Sequence, residues 1–470
     1  MKFITLIVIL IALLSLLHLA HGRIKTPFTR ARNSYLREKY WGEPPVFSNE
    51  TLWFEQKQDN FDSTNNNTWS QKYMIVDDYF EENGPIFIYL AGEASMSFFG
   101  FQEVQVVNWA QDFKALYLVL EHRFYGDSYP TDDLSTSNLR FLTSQQALAD
   151  AANFLTWIKT ERNLPLDYPA VVFGCSYSGA LSSWFRLKYP NLVVASVAPS
   201  GPVLAQLDFP GYYGQFSQSA APDCVAAAQS ASDQIMEAAK TQKGWDYLAS
   251  LFNSCTPLDN PSDQYYFIYN LVDALGGSDQ MNNPPTWILN STCATLLENG
   301  DYLNNWATIF SAGQTGCNDF RLQTFINQTQ QIDIASQNGD RSWEWQSCVE
   351  FGYFSSTYPG SSVFPPVLNV EEQVRWCSEI FGIPNMTPNV DSTNYWYGGA
   401  NPLSSNVMFT NGNLDPWHLL SVNNDRGNVK AVTYQAGHCG SLIATTDHDP
   451  ISLTQARQAV FEFLQSVLAQ

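Results

Sequence analysis

Six short apolar runs constrain the fold of this chain more than any other feature. Four come early: GPIFIYLAGE at 84–93, ALYLVLEHRFYG at 115–126, PAVVFGCS at 169–176 and LVVASVAPSG at 192–201. Each is short, β-rich and followed by turn residues, the pattern of strands buried on both faces of a parallel sheet. Between the second and third lies SQQALADAANFLTWIKTERN, rich in helix formers, with Ala, Leu and Trp at helical spacing. Strand, helix, strand is the α/β alternation. It stops near Leu204. Residues 205–395 hold six of the eight cysteines, helical patterns such as CVAAAQSASDQIMEAAK, and Asn/Pro-rich connections. SNVMFTNG and GNVKAVTYQAG then return as strands, and ISLTQARQAVFEFLQSVL closes as an amphipathic helix. The expected α/β domain therefore has two parts, 46–204 and 396–470, split by a helical insertion over 205–395. No internal repeat is visible.

The N-terminus, MKFITLIVILIALLSLLHLAHG, places one cation, Lys2, before an apolar run from Phe3 to Leu17, then small residues at Ala20 and Gly22. That is the layout of a cleaved secretory signal over 1–22. The run is short for a membrane span, which needs about 20 residues. Residues 23–45 are locally basic and read as a surface arm or a propeptide. Five Asn-x-Ser/Thr sequons, at Asn49, Asn66, Asn290, Asn327 and Asn385, agree with secretion and glycosylation. All eight cysteines lie beyond the signal and none forms a CxxC pair, so disulfides are expected rather than a metal site. The formal net charge of −21 excludes strong nucleic-acid binding, which needs clustered cations. It also disfavours an anionic membrane surface, and no later segment is long and apolar enough to span a bilayer.

The sharpest chemical feature is FGCSYSGALSSWFRLKYP. Ser176 stands where a predicted strand ends and a helix begins, with Gly174 two residues before it. A nucleophilic Ser needs a tight turn there, flanked by small residues. Ser178 takes the usual second Gly position, and Gly179 follows at once. Four histidines remain after the signal: His122, His418, His438 and His448. A hydrolase of this type presents Ser, Asp and His in that order. Asp415, in NGNLDPWH, and His438, in QAGHCGS, each follow a predicted strand and fall on the same sheet edge as Ser176. There an imidazole takes the hydroxyl proton while a carboxylate fixes its tautomer. His122 reads as structural or pocket-lining, His418 as a helix-start residue and His448 as a solvated loop. Backbone N–H donors for the oxyanion are expected at Tyr177 and in the turn after the first run, at Gly92 and Glu93. Glu93 is also a candidate substrate contact. No cofactor and no metal are expected, since a serine triad needs neither.

FGCSYSGALSSWFR, EHRFYGDS, NGNLDPWH and AGHC, with WFEQKQDNFD and WQSCVEFGYF, resemble the lysosomal Pro-X carboxypeptidase family of serine peptidases, which includes dipeptidyl-peptidase II and the thymus-specific serine protease. The likeness runs from about Trp53 to the C-terminus and is nearest to the thymus-type and invertebrate members. It implies an α/β-hydrolase domain capped by the helical insertion, with Ser176, Asp415 and His438 as nucleophile, orienter and base. It implies cleavage after proline in short peptide substrates, with Trp417 as an aromatic wall of the proline pocket. It also implies a secreted or lysosomal location, and by analogy a homodimer. The bridges it implies are Cys224–Cys293, Cys255–Cys317 and Cys348–Cys377, which leaves the pairing of Cys175 and Cys439 open. Three positions depart from the family pattern. Ala180 stands where Met is common, Cys175 replaces a Gly, and Cys-Gly-Ser follows His438 in place of Cys-x-Asp. Beside the serine exopeptidase reading stand two others: a carboxylesterase or lipase on the same fold, and a binding protein that retains the fold. The absence of an HGGG-type loop disfavours the esterase; the intact Ser/Asp/His set disfavours the binding protein. Carboxypeptidase and dipeptidyl-peptidase action are not separated by these residues.

Overall fold

The computed structural model describes residues 52–96, 104–336 and 339–469. The expected signal (1–22), the basic arm (23–45) and Asn49 lie outside the described residues.

Eight strands form one sheet: β1 (Leu52–Lys57), β2 (Thr68–Val76), β3 (Ile86–Leu90), β4 (Leu116–Leu120), β5 (Ala170–Phe173), β6 (Ala195–Pro199), β9 (Val407–Gly412) and β10 (Val429–Tyr434). Their order is β1-β2-β4-β3-β5-β6-β9-β10. β2 runs antiparallel to both β1 and β4. Every other neighbouring pair is parallel. This is an α/β-hydrolase sheet.

Both faces are buried, which explains why the central strands read as continuous apolar runs. Along β3, Ile86, Ile88 and Leu90 face the helices Ser144–Glu161 and Tyr177–Lys188, in one core with Leu155 and Trp184. Phe87 and Tyr89 face the other way, toward the helices Val104–Asp112 and Ile451–Leu468, with Trp109 and Leu464. β1 and β2 were not expected. β1 is exposed or part-exposed over most of its length, and β2 begins with an alternation of exposed and buried residues rather than an apolar run.

Between Pro199 and Val407 the chain leaves the sheet. Two short strands, β7 (Gln206–Asp208) and β8 (Gly352–Phe354), pair in parallel there. The remainder is helical, and its Asn-rich connections serve as helix caps. Asn260, with Pro261 behind it, accepts from the Asp263 N–H, and Asn369 accepts from the Glu372 N–H. Such a cap satisfies an amide that the first helical turn leaves unpaired. Three disulfides staple the insertion: Cys224–Cys293, Cys255–Cys317 and Cys348–Cys377. No helix among the described residues is long and apolar enough to cross a membrane.

Candidate active site

Ser176 occupies the turn between β5 and the helix Tyr177–Lys188, with φ 64° and ψ −133°. A side chain is strained in that region, and the turn holds it there. The Ser176 N–H donates to Pro199 O at 3.1 Å. The Ser178 hydroxyl accepts from the Cys175 N–H at 2.9 Å and donates to Cys175 O at 2.8 Å. Ser178 thus closes the turn from a position where a glycine is usual. The close approaches fall on Gly174 and Gly179: a Cβ on the first would strike the Ser178 carbonyl, and on the second the Pro199 carbonyl.

Asp415 and His438 follow β9 and β10, so both share with Ser176 the C-terminal edge of the parallel strands. Asp415 is buried. Its Oδ1 accepts from the Trp417 N–H at 3.0 Å, and its Oδ2 lies 2.7 Å from His438 Nδ1. This contact puts the ring proton on Nδ1 and leaves Nε2 as the acceptor. His438 Nε2 is buried with no hydrogen-bond partner among the described residues. A fourth disulfide joins Cys175 to Cys439, the residues adjoining Ser176 and His438, with their Cα atoms 6.0 Å apart. One ring nitrogen of His438 and the two sulfurs lie within 4.8 Å of one another. Both sulfurs are committed to the disulfide, so neither is a thiolate able to ligate a metal.

The Tyr177 N–H is the first amide of its helix and has no intrahelical acceptor. Gly92, buried, follows β3, whose partner β5 leads into Ser176. Glu93 is part-buried, and its Oε2 is enclosed with no hydrogen-bond partner among the described residues. Glu121 steadies this loop: its carboxylate accepts from the Met96 N–H and, on its other oxygen, from the Asp127 N–H and the Ser128 hydroxyl.

A model of the serine carboxypeptidase S28 family matches residues 56–460. The thymus-specific serine protease of Homo sapiens is 31% identical over 444 residues, covering 88% of this chain and 86% of that protein. The putative serine protease K12H4.7 of Caenorhabditis elegans is 30% identical over 450 residues, covering 88% and 87%. The lysosomal Pro-X carboxypeptidase of Homo sapiens is 29% identical over the same length, again covering 88% and 87%. The chain belongs to the S28 family. It is a serine peptidase.

In this S28 peptidase the residue after Ser176 anchors a polar network. His122 Nδ1 lies 2.7 Å from Arg123 O, so Nδ1 carries the proton and Nε2 accepts from the Tyr177 hydroxyl at 3.0 Å. Burial pushes the His122 pKa down to about 4, which keeps the ring neutral. Gln346 Nε2 donates to the same hydroxyl at 2.8 Å, and the Tyr125 hydroxyl donates to Gln346 Oε1 at 2.6 Å. Gln346 belongs to the insertion, so the insertion touches the side chain that follows Ser176. Four residues on, the Glu350 carboxylate accepts from the Ser144 N–H at 3.0 Å and the Ser144 hydroxyl at 2.8 Å. The WQSCVEFGYF motif makes these contacts between the insertion and the helices that follow β4 and β5. Its composition alone carried no role for Gln346 or Glu350; its place among the family motifs was the available signal.

Trp417 is half-buried, two residues after Asp415. It meets Phe209, Tyr212 and Tyr353 at centroid distances of 5.6, 5.5 and 5.1 Å. Ala180 is buried beside the helix's close approach to Gly201. Neither of the other two histidines meets the Asp415 carboxylate: His418 Nδ1 bonds the Asp415 backbone carbonyl at 2.6 Å, and His448 is exposed. Asn66, Asn290, Asn327 and Asn385 are all exposed, as sequons must be to carry glycans.

Proposed function

We propose that this S28 peptidase is a secreted or lysosomal exopeptidase that cleaves short peptides on the C-terminal side of proline, through an acyl-enzyme on Ser176. The observation that carries the reading is the 2.7 Å contact of His438 Nδ1 with Asp415, with Nε2 left buried and unpartnered. His438 Nε2 takes the Ser176 proton as Oγ attacks the scissile carbonyl, and Asp415 holds the Nδ1–H and stabilises the imidazolium. The Tyr177 and Gly92 amides receive the developing oxyanion. His438 then protonates the leaving amine, and a water, activated by the same imidazole, releases the acyl group.

Proline is favoured because a pyrrolidine ring presents apolar CH groups and suits an aromatic wall. Trp417, with Tyr353, Phe209 and Tyr212 around it, supplies one. The insertion covers the sheet edge and favours chain ends over internal bonds. Four disulfides suit an oxidising compartment.

The test pairs wild type with Ser176→Ala on a peptide that carries proline at both the second and the penultimate positions, with mass spectrometry of the products. The expected result is cleavage after one of the two prolines by wild type, none by the variant, and no fluorophosphonate labelling of the variant. Labelling of Ser176→Ala at the wild-type rate refutes the nucleophile. Cleavage at bonds away from proline refutes the specificity.

A further inference from the structure

The loop that carries His438 is held from outside its own sheet. The His438 N–H donates to Gln280 O at 2.6 Å, and the Gly437 N–H donates to Asn282 O at 3.0 Å. The Asn283 side chain adds two bonds of opposite sense. Its Oδ1 accepts from the Gly437 N–H at 3.0 Å, and its Nδ2 donates to His438 O at 2.8 Å. Asn283 is 0% exposed. It lies in the insertion, between the helices Pro261–Gly276 and Ile288–Leu296. The fit is close: a Cβ on Gly437 would strike the backbone of Gln280, Asn282 and Asp279, and a Cβ on Gly440 would meet Asn283 Oδ1.

We propose that Asn283 is a positioning residue for the base: it reaches from the cap, grips the backbone on both sides of His438 and aims the imidazole. The proposal rests on the reading of His438 as the base. A primary amide offers one donor and one acceptor from a single planar group, which matches the N–H of Gly437 and the C=O of His438. Ala offers neither. An ionised carboxylate offers acceptors only, and so opposes the His438 carbonyl. Aim matters because a displacement of about 1 Å at a catalytic group costs roughly 100-fold in rate. The consequence is that the insertion is part of the catalytic scaffold as well as a cover, since base geometry depends on cap docking.

The experiment uses the full chain, with Asn283→Ala, Asn283→Asp and Ser176→Ala beside wild type. It reads kcat, KM, the fluorophosphonate labelling rate and the melting temperature between about pH 4 and 8. Asn283→Ala is expected to lower kcat and labelling by roughly 10- to 100-fold, with KM little changed. Asn283→Asp is expected to lose activity at neutral pH and to recover relative to wild type on acidification, because a protonated carboxyl again offers one donor and one acceptor. A packing role does not produce that recovery. The ionisable groups on the segments around residue 283, namely Asp279, Asp415, His438, Tyr434 and Arg457, are common to both proteins, so the ratio isolates the substitution. A folded Asn283→Ala with wild-type kcat overturns the proposal, as does a pH-independent ratio for Asn283→Asp. If Asn283→Ala does not fold, the Asp ratio decides. Full labelling of Ser176→Ala instead overturns the nucleophile reading beneath the proposal, which separates the two failures.

Discussion

Cys175 and Cys439 are 264 residues apart in the chain and share a disulfide, and each adjoins a residue of the proposed triad, Ser176 or His438. The bridge ties the turn after β5 to the loop after β10 without passing through β6 and β9, which lie between them in the sheet. Both cysteines are 3% exposed, so the bridge is part of the packed edge.

Replacing both cysteines with serine is expected to cost roughly 2–5 kcal/mol of stability, the usual range for a native disulfide. It is also expected to slow fluorophosphonate labelling, because Ser176 and His438 lose their shortest covalent tie. Thermal melts and labelling rates on the double variant check both parts. An unchanged labelling rate contradicts the second.

Asp415→Asn keeps the shape of the side chain and removes the acceptor that holds His438 Nδ1–H. The wrong ring nitrogen then carries the proton, and kcat is expected to fall by about 10⁴-fold, as for the same exchange in other serine triads. The fold is expected to persist, with a melting temperature within a few degrees of wild type. A loss of less than tenfold in steady-state kinetics contradicts this role for Asp415.

Stability is expected to fall as pH rises through neutrality. Burial raises the Glu350 pKa from 4.5 to about 7. Burial, then the charge of Asp415, holds the Asp279 carboxyl well above the ordinary range. The folded chain keeps these protons at pH values where the unfolded chain has released them, so their stabilisation declines as pH rises toward the folded values. For Glu350 it is complete below 4.5 and gone above about 7. His122, lowered from 6.5 to about 4, acts in the opposite direction: its contribution is present above 6.5 and lost as pH falls through about 4. Above 6.5 the His122 contribution no longer changes, and the carboxyl contributions still do. The melting temperature is expected to drop between about pH 6 and 8, and Glu350→Gln or Asp279→Asn to shrink that drop. A flat wild-type profile over this range contradicts the assignment.

Arg123 and Asp150 form a buried two-pronged pair, Nε to Oδ2 and Nη2 to Oδ1, both at 2.6 Å. Arg123 directly follows His122, so this pair fixes the end of β4 against the helix Ser144–Glu161. Asp150→Ala is expected to cost about 3–5 kcal/mol, since it leaves a buried guanidinium uncompensated. Chemical denaturation measures it, and a cost below about 1 kcal/mol means that water or another group replaces the carboxylate.

Much of the fold was legible along the chain. The six apolar runs correspond to β3, β4, β5, β6, β9 and β10, and ISLTQARQAVFEFLQSVL is the helix Ile451–Leu468. β1 and β2 were missed because they are part-exposed, and their alternation is weaker than a continuous apolar run. The placement of Ser176, Asp415 and His438 on one sheet edge was legible because each follows a strand that sequence can recognise. Gln346, Glu350 and Asn283 were not. Their types are ordinary for a solvated helix or loop, and only their partners, Tyr177, Ser144 and the His438 loop, give them a role.

The sequence by itself determined the six parallel strands of the sheet and the turn at Ser176, because apolar runs, helix periodicity and small residues in a tight turn act over a few neighbouring positions. Tertiary structure alone decided that Cys175 bonds Cys439, that Asn283 bonds the His438 loop and that Gln346 meets Tyr177. Those partners are 264, 155 and 169 residues apart. Contacts at such separation form only when the sheet edge and the cap pack together, and they leave no periodic trace in the chain.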